Sequence, residues 1–319
     1  MLTRSSADAA VPELIEGSAA IVPAGGFYHL NKKEGAILDR KESAALKIKA
    51  AEIRIAALTA IHSLGSGHVG GSLSICDALA VLFGREMKTD PKNPKWPERD
   101  KLVTSKGHAG PAVYGALAVQ GYFPYEELTT LNKPGTHLPS HTDRNLTPGV
   151  DMTTGSLGQG TSVACGMALG DRLKGRDCRT FLIVGDGESD EGQVWEAFAF
   201  AAAKKLSNLV VLLDWNKKQL DGTVEEVLPM GDYAAKLRAF GFDTQLVNGN
   251  DVDELAAALE KTRNGGDKPY AIVMDNVKGA GVKEVEETEM NHSIPVSDEQ
   301  FARWTAELKA QIAKCKEEA

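Results

Sequence analysis

The sequence predicts an α/β fold built on a parallel sheet with helices on both faces. Residues 181–184 are uniformly apolar and residues 208–214 are dominated by Val and Leu. Short runs of this kind suit strands buried on both sides. Apolar residues at helical spacing separate such runs, so strand and helix alternate as in crossover units. Helices are expected over 191–205, 232–240 and 252–262, and further strands over 242–247 and 270–276. Ligands in sheets of this type sit beyond the carboxyl ends of the strands, so the residues after Val184 and Leu213 need the closest reading.

Upstream, residues 41–63 carry Leu46, Ile53, Ala57 and Ile61 at helical spacing, which predicts an amphipathic helix. Ser72 resembles the N-cap of a second helix running to about residue 83. The three prolines between 90 and 97 mark a loop, followed by a short strand at 101–105 and a helix at 108–119. Gly158 and Gly160 open another helix, whose Ala164, Gly166 and Ala168 permit close packing. Residues 297–319 form a charged amphipathic helix with Phe301, Trp304, Leu308 and Ile312 on one side, fit to pack on this domain or on a partner. With no internal repeat or low-complexity linker, the chain divides into an extended arm (1–40), one domain (41–296) and a C-terminal helix (297–319).

A chain of 319 residues, 42% hydrophobic and 25% charged, can bury a full core. The net charge of -8, without a Lys/Arg-rich block, disfavours nucleic acid. No apolar run approaches the roughly 20 residues needed to cross a bilayer. The first forty residues lack the basic-then-apolar order of a secretory signal, and Asp8, Glu13 and Glu16 argue against a transit peptide. Cys76, Cys165, Cys178 and Cys315 show no CxxC or zinc spacing, which suits reduced thiols in a cytoplasmic protein.

The first central strand ends in Gly185-Asp186-Gly187-Glu188 and the second in Asp214-Trp215-Asn216. Asp186 and Asn216 stand thirty positions apart, one strand–helix–strand crossover. Neighbouring parallel strands would bring both side-chain oxygens to one sheet edge. Magnesium takes about six oxygens and shares them with phosphate, and glycines at 185 and 187 let backbone approach an anion. Gly-Asp-Gly alone is more often a tight turn; the second strand tip at crossover distance is what makes it specific.

These residues resemble the signature of thiamine-diphosphate enzymes: Gly-Asp-Gly, a crossover, then Asn. The resemblance implies the thiamine-diphosphate-binding fold, specifically its diphosphate-binding domain. By it, Asp186, Asn216 and the Lys218 carbonyl are magnesium ligands, and Gly187, Glu188 and Asn216 lie against the cofactor. The likeness continues through Glu191-Gly192 and Trp195-Glu196-Ala197, a run similar to transketolase and less like the 2-oxo acid dehydrogenases. Four of the seven histidines fall in motifs that resemble transketolase. These are Ser66-Gly67-His68, Ser105-Lys106-Gly107-His108-Ala109, Pro139-Ser140-His141-Thr142-Asp143 and Asn291-His292-Ser293. His29 and His62 read as ordinary structural or surface residues. His137 competes with His141, which stands closer to Gly155 as the family's spacing requires. In Thr153-Thr154-Gly155-Ser156-Leu157-Gly158-Gln159-Gly160, Ser156 stands where the family usually has Pro. The resemblance places Gly155, Ser156 and Leu157 against the cofactor's rings, with His108 and His292 also near it.

Ketol transfer needs such histidines, because a hydroxyl proton must leave as the ketose bond breaks and return when the new bond forms. The resemblance covers residues 45–295, the first third to half of a full transketolase, and nothing here resembles the family's pyrimidine-binding domain. It implies a separate C-terminal subunit in an α2β2 assembly, with Glu191 at an interface that links cofactor sites. Glu191 would equally serve as an acid at a helix N-terminus. The expected activity is transfer of a two-carbon ketol unit between sugars or sugar phosphates. A decarboxylating subunit for 2-oxo acids and a cofactor-binding scaffold are the competing readings, and the clustered histidines disfavour both.

Overall fold

The computed structural model describes residues 38–319; the expected N-terminal arm lies almost wholly outside the described residues. The first helix, α1 (Arg40–Leu64), begins at a reciprocal cap: Asp39 accepts from the Glu42 N–H while the Glu42 carboxylate accepts from the Asp39 N–H. Gly65, in the left-handed region at φ 85°, ends it. Then come β1 (Ser66–Gly67), α2 (Val69–Leu73) and α3 (Cys76–Val81), the last running into a π-helical turn at Leu82–Glu86. The single helix expected from Ser72 to about 83 is therefore broken. Ser72 is no cap: it lies inside α2, fully buried. Packing of α2 against a distant segment, which local propensity does not encode, decides its start.

The sheet comprises β2 (Lys101–Thr104), β3 (Thr180–Gly185), β4 (Leu209–Trp215), β5 (Asp243–Asn248) and β6 (Tyr270–Asp275), all parallel, in spatial order β2-β3-β4-β6-β5. The connecting helices are α4 (Gly110–Val119), α5 (Gln159–Leu173), α6 (Gly192–Ala203), α7 (Val224–Val227), α8 (Tyr233–Ala239) and α9 (Val252–Lys261). Alternate strand residues feed two cores. Phe181, Ile183, Val210 and Leu212 pack with residues of α1, α3, α4 and α9. Leu182, Val184, Val211 and Leu213 pack with residues of α5, α6 and α8. Both faces are covered, as the sequence predicts.

After β6 come α10 (Lys283–Glu287), β7 (Ile294–Pro295) and α11 (Asp298–Glu318). β7 pairs antiparallel with β1, which draws the C-terminal segment back to the end of α1. α11 packs on α1 rather than standing free: Trp304 and Leu308 share a buried cluster with Leu58 and Ile61. His62, read as ordinary, joins the same seam by bonding Asp298 and stacking on Phe301.

Candidate active site

Strand pairing sets the first half of the site. Gly185 of β3 is in register with Asp214 of β4, so Asp186 and Asn216 emerge from adjacent strand tips. Asp186 is buried and accepts from the N–H groups of Gly187 (2.8 Å) and Lys217 (2.6 Å). The amide oxygen of Asn216 accepts from the Lys218 N–H at 3.2 Å. Both side chains are thus held against one turn, residues 216–218. Burial and the neighbouring Asp214 push the Asp186 carboxyl up to about 7. Among the described residues, Asp186 has no cationic side chain within ion-pair distance. The donors available here are a carboxylate, an amide oxygen and a main-chain carbonyl, a set that suits a small hard cation.

Lys278, just beyond β6, fills the approach to this turn. Its ammonium donates to the Lys218 carbonyl at 2.8 Å and to Nδ1 of His292 at 3.2 Å. Burial lowers its pKa to about 8, with Asp186 and Asp214 holding it up and Lys106 pushing it down. A lysine only donates, so Nδ1 of His292 accepts and the imidazole proton sits on Nε2.

The histidines form the second half. His68 stands before α2, His108 in a 3-10 turn between β2 and α4, His141 in the loop before α5, and His292 before β7. The β1–β7 pairing brings His292 to His68, with ring centroids 5.3 Å apart. His108 lies 5.2 Å from His68 and 4.8 Å from His292, and His141 lies 5.9 Å from His68. All four predicted histidines converge. His137 is exposed beside Glu127, so the geometry selects His141. Burial is the main cause that lowers the pKa of three of them. His292 falls to about 3, helped by Lys278; His108 falls well below its usual range, helped by Lys106; His68 falls, helped by His141 and Lys278. These three imidazoles are neutral near pH 7.

Two glycines let the histidine loops meet. A Cβ on Gly107 would stand 2.7 Å from the Gly155 nitrogen. Gly155 itself has φ +146°, with His141 3.1 Å from where its Cβ would be. Leu157 is partly buried and Ser156 is exposed beside it. Glu191 is exposed at the start of α6, makes no side-chain cap, and has its Cβ against Gly158.

The Glu188 carboxylate accepts from Ser105 Oγ, the Gly158 N–H (2.9 Å) and the Gly185 N–H (3.1 Å). Burial raises its pKa, and the side chain braces three loops.

A profile of the family described as "Transketolase, thiamine diphosphate binding domain" matches residues 45–314. The chain belongs to the transketolase family. It is 48% identical over 268 residues to the 6-deoxy-6-sulfo-D-fructose transketolase subunit SqwG of a Clostridium species, covering 84% of this chain and 98% of that one. With an apulose-4-phosphate transketolase subunit of Actinobacillus succinogenes it shares 37% identity, covering 79% and 91%. It spans only 44% of human transketolase, at 36% identity. The solved transketolase of Leishmania mexicana superposes with a TM-score of 0.76 at 29% identity, over 86% of this chain and 45% of that one. The chain carries the family's thiamine-diphosphate-binding domain over residues 45–314.

Two residues of this transketolase-family chain escape a reading of sequence alone. Lys278 is given no role by the sequence, yet it is buried. Lys106 falls inside a motif but is given no role of its own, yet it is 1% exposed and ion-paired with Asp214. A lysine immediately beyond a strand tip, flanked by glycine, was the only available signal.

Proposed function

We propose that this chain is the N-terminal subunit of a two-component transketolase. It transfers a two-carbon ketol unit from a ketose to an aldose with thiamine diphosphate and Mg2+. Convergence of four histidines beside an oxygen-donor turn is the observation that carries the reading. Asp186, Asn216 and the Lys218 carbonyl are the oxygens offered to magnesium, and Lys278 and the Gly187 backbone face the diphosphate. Gly155, Ser156 and Leu157 line the place for the cofactor's rings. The cofactor, when bound, supplies the electron sink that lets a carbon–carbon bond beside a carbonyl break. The histidines manage protons: imidazoles take a hydroxyl proton from the sugar and return one to the acceptor, with His68 and His141 toward sugar hydroxyls. His108 and the Nε2–H of His292 donate toward cofactor and substrate oxygen.

The two relatives of matching length are named as subunits, one for 6-deoxy-6-sulfo-D-fructose and one for apulose-4-phosphate. They support a donor or acceptor with a terminal anion and a separate partner subunit; the reading takes the assembly as α2β2, with Glu191 at an interface. The free, buried thiols of Cys76, Cys165 and Cys178 support a cytoplasmic location. The test is a ketose-to-aldose transfer assay of this chain with its partner, thiamine diphosphate and Mg2+. Activity requiring all four components is expected; full activity of this chain alone sinks the two-component reading. Consumption of a 2-oxo acid without ketose cleavage would assign the site to decarboxylation.

A further inference from the structure

Asp214 lies at the tip of β4, fully buried, and touches no position assigned to substrate. Its carboxylate accepts from Ser74 Oγ (2.9 Å), Lys106 Nζ, Asn216 Nδ2 (2.7 Å) and Asn276 Nδ2. The donors come from four segments: after α2, after β2, after β4 and after β6. Lys106 already neutralises this carboxylate, so it does not compete for a metal.

Its effect on Asn216 is orientational. An amide has one accepting and one donating end. The Asp214 carboxylate only accepts, so it must face the NH2 of Asn216. The Lys218 N–H only donates, so it must face the oxygen, as observed at 3.2 Å. Both constraints agree, and Oδ1 is turned toward the loop that pins Asp186.

We propose that Asp214 is a positioning residue for metal binding: it locks the Asn216 amide with its oxygen toward the cation shared with Asp186 and the Lys218 carbonyl. This rests on the ligand reading given above. Without Asp214 the amide can rotate and present its NH2, a donor that repels a cation.

The test is calorimetric titration of Mg2+ into the full chain with its partner at saturating thiamine diphosphate. Asp214→Leu, which removes every acceptor oxygen, should weaken Mg2+ binding about 10–100-fold, the range for losing an outer-shell partner. Ser74→Ala, which removes a different donor to the same carboxylate, should not. In an Asn216→Ala background, Asp214→Leu should add no further loss, because the residue it positions is gone. Unchanged Mg2+ affinity in Asp214→Leu, or an equal further loss on top of Asn216→Ala, overturns the assignment. If Asp214→Leu fails to fold because Lys106 is left unpaired, Asp214→Leu/Lys106→Met is compared with Lys106→Met, with the same expected and overturning results. If the wild type itself shows no Mg2+-dependent binding, the ligand reading falls, and this assignment with it.

Discussion

Asp186 places a carboxylate in a buried turn with two backbone donors and, among the described residues, no cationic side chain within ion-pair distance. An added cation should therefore bind strongly, and Asp186→Ala should abolish Mg2+-dependent cofactor binding. The loss should exceed the roughly 10–100-fold expected for an outer-shell partner, as calorimetry would show. Lys278→Met should weaken thiamine diphosphate about 10-fold or more, in line with about 1.5–3 kcal/mol for a hydrogen bond to a charged group. The histidines set a pH response. Below about pH 6.5 an unfolded imidazole takes up a proton; folded His292 refuses it down to about 3. The unfolded state then binds more protons, so His292 subtracts stability as pH falls through that window. Asp186 acts oppositely, since its raised carboxyl keeps a proton in the folded state from about 7 downward. Urea midpoints of the cofactor-free chain should thus fall more between pH 7 and pH 5 in the wild type than in His292→Gln.

Among the elements, the central strands are legible in the sequence because burial on both faces leaves no polar position in their apolar runs. β3 and β4 are read within a residue or two of their bounds. The α2–α3 region is not legible: a serine before an apolar run reads as a cap, while tertiary packing starts the helix at Val69. The same divide runs through the site. Asp186 and Asn216 announce themselves by motif and spacing, whereas Lys278 and Asp214 matter through burial and partners contributed by remote segments. α11 is the third case, since its apolar stripe predicts burial but not against what. Trp304 is 2% exposed against α1 and donates to Glu284 at 2.9 Å. Trp304→Ala should therefore cost about 3–5 kcal/mol of stability, read as a lower urea midpoint. That substitution should leave the Mg2+ affinity of the surviving folded protein unchanged.

For the whole molecule, exposed apolar side chains stand close in sequence to residues of the site. Leu220 is 59% exposed, Val277 48% and Met290 53%, and each stands within two residues of Lys218, Lys278 or His292. Burying such side chains against a partner is worth about 1.5–3 kcal/mol each. Leu220→Asp combined with Met290→Asp should weaken association with the partner subunit at least about 10-fold, measured by sedimentation. Thermal stability of the chain alone should barely change.

Gly70 donates its N–H to the Asn291 carbonyl and its carbonyl accepts from the Gly279 N–H, which stitches sequence near position 70 to sequence beyond position 278. A ribosome therefore releases His68, His108 and His141 long before His292 exists. The reaction chamber cannot close on a chain that still lacks His292, and any product truncated before it is born without it. During refolding, this long-range stitch should mature after the sheet, since distant contacts must first meet the entropy of loop closure.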